Sequence, residues 1–203
     1  MVQDGEKEKI STILVAARKR FGHYGIAKTT MSEIASDIGM SKASLYYYFP
    51  DKEHLFVAVI RVEMDVFISE MEKVVATSIT ATEKLQRYLK KRFVFFQDLV
   101  NLWKITGANH DTVKPAYASC NKEFEQRERK IIEEILHEGI ASKEFSKIDV
   151  GKHAQLFVSS LQGLRVLMIK QRDSFLLTPE DYAELSEYQT LLAQVFVKGI
   201  STR

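Results

Sequence analysis

The sequence predicts an all-α protein in two parts, a small N-terminal head and a larger helical body. Three observations predict it. Apolar residues recur at helical spacing almost throughout the 203 residues, while strict alternation never persists. Only three prolines, Pro50, Pro115 and Pro179, punctuate the chain. Two Thr-x-x-Glu pairs, Thr30/Glu33 and Thr80/Glu83, stand at capping-box spacing just ahead of periodic stretches.

The first helix is expected over about Glu6–Phe21, with Ile10, Ile13, Leu14, Ala17 and Phe21 on one face and Gly22 and Gly25 ending it. The segment Thr30–Lys52, TMSEIASDIGMSKASLYYYFPDK, then reads as two short helices about a glycine turn. Thr30 caps the first of them, Ile34 and Ile38 give it an apolar face, and Ala35 lets a second helix approach. Gly39 supplies the left-handed turn. Ser41 caps the next helix, Lys42–Tyr48, and Leu45 anchors it in the core, with Phe49 beside it. A small contact, a permissive turn and an apolar anchor at this spacing make a helix-turn-helix.

The body follows. A helix from about Asp51 to Ala76 carries Leu55, Val59, Val62 and Val66 on one face. Thr80 opens a long helix towards Gly107 that is apolar nearly all round, with Leu85, Leu89, Phe93, Phe96, Val100 and Trp103 on one side and Phe95, Leu99 and Leu102 on others. A short helix over Asn109–Tyr117, another over Asn121–Ile140 ended by Gly139, and one over Val150–Arg172 come next. Thr178-Pro179-Glu180-Asp181 starts the last with a cap, a first-turn proline and acids at the positive end. The count is about nine helices, divided into residues 1–50 and 51–203.

Bulk properties exclude several classes. Apolar residues are 45% of the chain, an ordinary globular content. No apolar run approaches the ~20 residues that cross a bilayer, and the charged opening MVQDGEKEK lacks a signal core. A single cysteine, Cys120, suits a reducing compartment, so a cytoplasmic protein is expected. The five histidines show no metal-ligand spacing, and no phosphate-cradling glycine loop or nucleophile elbow occurs. Neither an enzyme nor a cofactor is expected. The net charge of +2 is uneven: Arg18–Lys52 holds six Lys/Arg against three Asp/Glu, whereas Arg61–Arg203 is nearly balanced at 21 against 20. Positive charge gathered at the motif is the footprint of a nucleic-acid partner.

The second motif helix is therefore expected in a major groove of double-stranded DNA. Lys42 can donate to guanine, Ser44 can donate or accept, and Ala43 and Tyr47 can touch a thymine methyl. Thr30, through hydroxyl and amide, and Tyr46, Tyr48 and Lys52 are candidates for backbone phosphates. Ser41 completes the set at the helix start.

The residues Phe21, Gly25, Thr29-Thr30, Ile34-Ala35, Gly39, Ser41-Lys42, Leu45-Tyr46-Tyr47-Tyr48-Phe49 and Lys52 resemble the DNA-binding domain of the tetracycline-repressor (TetR) family of bacterial regulators, over about Ala16–Leu55. The resemblance implies that positions matching Thr30, Lys42, Ser44, Tyr47, Tyr48 and Lys52 touch DNA. It further implies that the body binds a small-molecule inducer, and that repression is the commoner outcome. Val62, Val66, Phe96, Leu99, Trp103, Phe124 and Phe157 are the candidate walls of an apolar pocket, with Gln97, Asn101, Asn109 and His110 as nearby polar groups. Leu161, Leu164, Val166, Leu167, Met168, Leu191, Leu192, Val195 and Phe196 exceed what one body can bury. They are expected to form a four-helix homodimer interface, as in that family, with Leu161, Leu164, Met168, Leu192 and Phe196 at its centre. A dimer spaces two reading helices roughly 34–36 Å apart and so requires a palindromic site. The alternative is a helical scaffold protein whose motif meets a protein and not DNA.

Overall fold

The computed structural model describes the backbone of residues 2–103, 110–170 and 177–202, and the side chains of residues 5–99, 117–168 and 177–202. Among these it forms eight helices: α1 (Val2–Lys28), α2 (Met31–Asp37), α3 (Lys42–Tyr48), α4 (Lys52–Val75), α5 (Ala81–Trp103), α6 (His110–Ala141), α7 (Val150–Lys170) and α8 (Pro179–Ile200). The count falls below nine because the helices expected over Asn109–Tyr117 and Asn121–Ile140 are one. Ala118-Ser119-Cys120 contains no breaker, so α6 continues through it. α1 is also longer than expected. Gly22 stays helical, and only Gly25, at φ 74 and ψ 165, kinks the chain before Ile26–Lys28.

The chain divides into two compact units, Met1–Met64 with Asp98–Asn121, and Asp65–Gln97 with Lys122–Arg203. The first is larger than a 50-residue head because the start of α4 belongs to its interior: Leu55, Phe56, Val59 and Ile60 are all buried. Phe56 meets Phe21 of α1 edge to face at 5.3 Å. Ile13, Ala17, Ile34 and Leu45 complete this core. Polar ties hold its surface, with Arg18 paired to Glu63 and Arg20 forking Asp37 at 2.5 and 2.8 Å.

Val62 and Val66 do not follow Leu55 and Val59 inwards. They are 40% and 52% exposed. The buried row along α4 runs instead through Phe56, Ile60, Met64, Phe67, Met71 and Val74, the stripe with the bulkier side chains and hence the larger apolar area to remove from water.

In the second unit α7 and α8 pack together, with Met168, Leu177 and Leu185 buried beside Phe93, Leu164 and Tyr182. The turn after α6 stitches this unit to its own ends. Glu144 receives the Ala81 and Thr82 amides at 2.8 and 2.9 Å, capping α5, while the Ser146 amide donates to the Ile200 carbonyl at 2.7 Å at the end of α8. Gly139 does not stop α6, which runs to Ala141. The left-handed residue is Lys143, at φ 62, and the Glu144 and Lys143 amides close the end on Gly139 and Ile140. Glycine serves at 139 because Phe145 lies on it: an added Cβ would stand 2.1 Å from the Phe145 ring and 2.9 Å from Ala81 Cβ.

Gly139→Ala is thus expected to destabilise the protein by about 1–3 kcal/mol in denaturant unfolding. Gly199→Ala, where a Cβ meets nothing within 4 Å, is the control and is expected to change stability little.

Candidate nucleic-acid interface

Thr30 caps α2 in a reciprocal box. Its hydroxyl accepts from the Glu33 amide at 3.3 Å, while its amide and hydroxyl both donate to Glu33 Oε2, at 2.8 and 2.7 Å. α2 then ends in a Schellman turn: Met40 donates to Ala35 at 2.9 Å and Gly39 to Ser36 at 3.2 Å, with Gly39 at φ 63. Ser41 caps α3, accepting from the Ser44 amide at 3.0 Å. Leu45, with 0% of its surface exposed, is the one buried residue of α3. One anchored side chain on a seven-residue helix fixes which face looks out. Lys42, Ala43, Ser44 and Tyr47 all face solvent, and Tyr47, at 79% exposed, stands furthest out.

The remaining tyrosines grade inwards. Tyr46 is exposed beneath Lys42, whose ammonium sits 5.7 Å from its ring, and half-buried Tyr48 meets Tyr47 edge to face at 5.2 Å. Phe49, expected in the core, is half-buried. The two outer phosphate candidates are already engaged. The amide and hydroxyl of Thr30 are held by Glu33, so a phosphate reaches them only by displacing that carboxylate. Lys52 donates to the Thr29 carbonyl at 2.9 Å, tying the start of α4 to the end of α1, and keeps two further N–H donors.

The structure also brings in a wall that the motif alone does not reveal. A concavity of about 860 Å³ has Ser41, Ala43, Ser44, Tyr47 and Tyr48 on one side and Gly5, Glu8, Lys9 and Thr12 of α1 on the other. The signal was present in the sequence as a polar stripe at helical spacing, opposite the Ile10–Ile13 face. It brings one lysine and one acid beside the exposed face of α3.

Comparison with known proteins agrees with this geometry. Residues 13–59 match the model of bacterial regulatory proteins of the tetR family. A transcriptional regulator from Cytophaga hutchinsonii, solved by crystallography, superposes with a TM-score of 0.89 at 43% identity, over 96% of this chain and 99% of that one. The chain belongs to the TetR family of bacterial transcriptional regulators. It is a DNA-binding regulator with a ligand-binding domain, and the scaffold alternative is not favoured. The fatty acid metabolism regulator protein of Bacillus subtilis is 26% identical over 157 residues, 77% of this chain and 81% of that protein. The regulator FadR from Bacillus subtilis, in complex with stearoyl-CoA, shares the fold at a TM-score of 0.60 and 23% identity, over 94% of this chain and 98% of that one.

The larger unit has an aromatic interior. A continuous row of rings runs through it. Phe196 lies 4.6 Å from Phe157, Phe157 6.3 Å from Tyr88, Tyr88 6.2 Å from Phe67, and Phe67 leads to Phe95, Phe124 and Phe96. Phe96, Phe124 and Phe157 of the expected pocket are buried in this row, and Leu99 is buried in the other unit. Val62 and Val66 are corrected to solvent-facing positions. The Trp103, Asn101 and His110 side chains, and Asn109 altogether, lie outside the described residues. Tyr88 donates to Glu128 at 2.7 Å, and its phenol pKa is pushed well up by burial and then by the Glu128 charge, so it remains a donor.

Two of the five central dimer residues are corrected in the same way. Leu161 and Met168 are buried in their own chain, and Leu164 and Phe196 pack on neighbours within it, while Leu192 is half-buried. The stripes left uncovered are Leu156, Val166 and Leu167 on α7 and Tyr188, Leu191 and Val195 on α8. Excess apolar surface was legible; which side of each helix stayed out was not, because adjacent stripes are equally apolar. Among the described residues no group of three side chains could hold a metal, and no helix is long and apolar enough to cross a membrane.

Lys42→Ala should weaken binding to a selected operator by about 1–3 kcal/mol and relax the base preference at one position, whereas Lys9→Ala should weaken binding alike on all sequences and lower the log–log salt slope by about one, the signature of one lost phosphate contact. Titration of binding against salt, on the operator and on altered sequences, checks both. A pH effect follows from Arg20, whose hydrogen bonds hold the Asp37 carboxyl below its ordinary range. The folded value lies under the unfolded one, so this stabilisation is complete above about pH 4 and is lost as pH falls. Asp37→Asn should flatten the acid limb of stability measured by thermal unfolding.

Proposed function

We propose that the protein is a repressor that sits as a homodimer on a palindromic operator and leaves it when the body binds an amphipathic ligand with a long apolar chain. The observation that carries the DNA assignment is the single-residue anchoring of α3. With Leu45 inside, Lys42, Ala43, Ser44 and Tyr47 present donors, a methyl and a ring to the base edges, and Thr30, Ser41, Tyr46, Tyr48 and Lys52 flank them for the phosphates. DNA binding belongs to residues 1–50 with the support of early α4, and ligand binding and dimerisation belong to residues 51–203. The protein works in the cytoplasm.

Support for an acyl-type ligand comes from two sides. The aromatic row offers a long apolar lining, and the FadR relative carries stearoyl-CoA in its crystal structure. Release follows if the ligand prefers a body shape that the operator-bound dimer cannot adopt. α4 contributes residues to both units and is the natural transmitter. For dimerisation the exposed stripes of α7 and α8 supply an isologous apolar face, with Gly163 on α7 leaving open space for a partner.

Stearoyl-CoA added to the protein on its selected operator should lower DNA affinity by about 5–150-fold, the ordinary size of such coupling. Fluorescence anisotropy measures it, and a compound that binds the protein while leaving DNA affinity unchanged contradicts release by that compound. Leu167→Glu with Val195→Glu should shift the mass in light scattering from dimer to monomer and weaken operator binding with it.

A further inference from the structure

Arg92 is 1% exposed and sits on α5 in the middle of the aromatic row. Its Nε donates to Glu128 Oε1 at 2.7 Å, and that same oxygen accepts from Tyr88. Nη1 is buried without a hydrogen-bond partner. A buried ion pair of this kind is commonly matched or bettered in stability by apolar residues of similar volume, and an orphaned donor lowers it further. Stability therefore does not explain the arrangement.

Phe96 supplies the second observation. The guanidinium carbon of Arg92 lies 4.4 Å from its ring centroid and that of Arg165 lies 4.1 Å from it. Both guanidiniums thus lie within cation–π range of this one ring. A ring face attracts a cation by about 0.5–2 kcal/mol, whereas an oxygen acceptor would make a charge-assisted hydrogen bond to Nη1. The carbons needed to receive a chain adjoin the same place: Phe96 touches Phe95 and Phe124, at 5.0 and 6.3 Å between centroids.

We propose that Arg92 and Arg165 form the head-group subsite of the effector, where the carbonyl end of an aliphatic chain, as acid, amide or thioester, displaces the Phe96 ring and accepts from Arg92 Nη1. This rests on the acyl-ligand reading above and adds the polar end that reading lacks. An ammonium head is disfavoured there, because it supplies no acceptor for Arg92 Nη1 and meets two guanidiniums against the one carboxylate of Glu128.

The test compares wild type with Arg92→Met/Glu128→Gln, a neutral pair that leaves Tyr88 an acceptor. The probes are dodecanoate, dodecanamide, dodecylamine and stearoyl-CoA, read by calorimetry and by release of operator DNA. Wild type should bind the three carbonyl compounds and not the amine. The double variant should bind them roughly tenfold to a hundredfold more weakly, the range for one lost hydrogen bond to a charged group. Equal binding of the carbonyl probes by both proteins, or of dodecylamine alongside them by wild type, overturns the subsite and leaves the effector reading standing. Failure of every acyl probe on wild type overturns both. Should the double variant not fold, Phe96→Ala replaces it: vacating the ring's place should tighten dodecanoate binding, and unchanged or weaker binding overturns the proposal.

Discussion

The burial of Leu45 is the constraint on which the reading surface depends. α3 is too short to be stable alone, since isolated helices need roughly 12–15 residues even in favourable sequences. It exists because Ser41 caps it, Gly39 turns the chain into it, and Leu45 fixes it to a core built from α1, α2 and early α4. With one anchor and about two turns, rotation of the helix is settled: Lys42, Ala43, Ser44, Tyr46 and Tyr47 are turned to solvent and Tyr48 is left half-buried. The same core is closed by Phe21 against Phe56, so the orientation of α3 is tied to the helix that also supplies the second unit with residues.

What was legible in the sequence was mostly short-range. Thr30/Glu33, Gly39 and Ser41 encode caps and a turn within a few residues, and such signals depend little on what the rest of the chain does. The capping box at Thr80 and the Thr178-Pro179 start held for the same reason: Thr80 and Glu83 exchange hydrogen bonds, and Thr178 caps α8 reciprocally with Asp181. The exposed row on α3 followed from its one apolar anchor.

What was not legible was tertiary. On α4 two apolar stripes compete, and the winner, with Phe56, Met64 and Phe67, is decided by volume that only a partner surface can judge. On α7, Leu161 and Leu167 are equally apolar by residue type, yet one is fully buried and the other over half exposed. Gly139 looked like a stop and is a close approach, because the contact with Phe145 closes only after the turn at Lys143. The Arg92–Glu128–Tyr88 cluster also left no local mark. Glu128 lies 36 residues from Arg92 and 40 from Tyr88 in sequence, and a charged residue on a helix reads as solvated until its neighbours are known.

The most direct test is selection of bound sequences from a random duplex DNA pool with purified protein at moderate salt. An enriched palindrome, with half-sites spaced by about one helical turn, is the predicted result and would show two anchored reading helices acting together. Binding that shows no enrichment and only the steep salt loss of phosphate contacts would contradict the assignment of α3 as a base-reading helix.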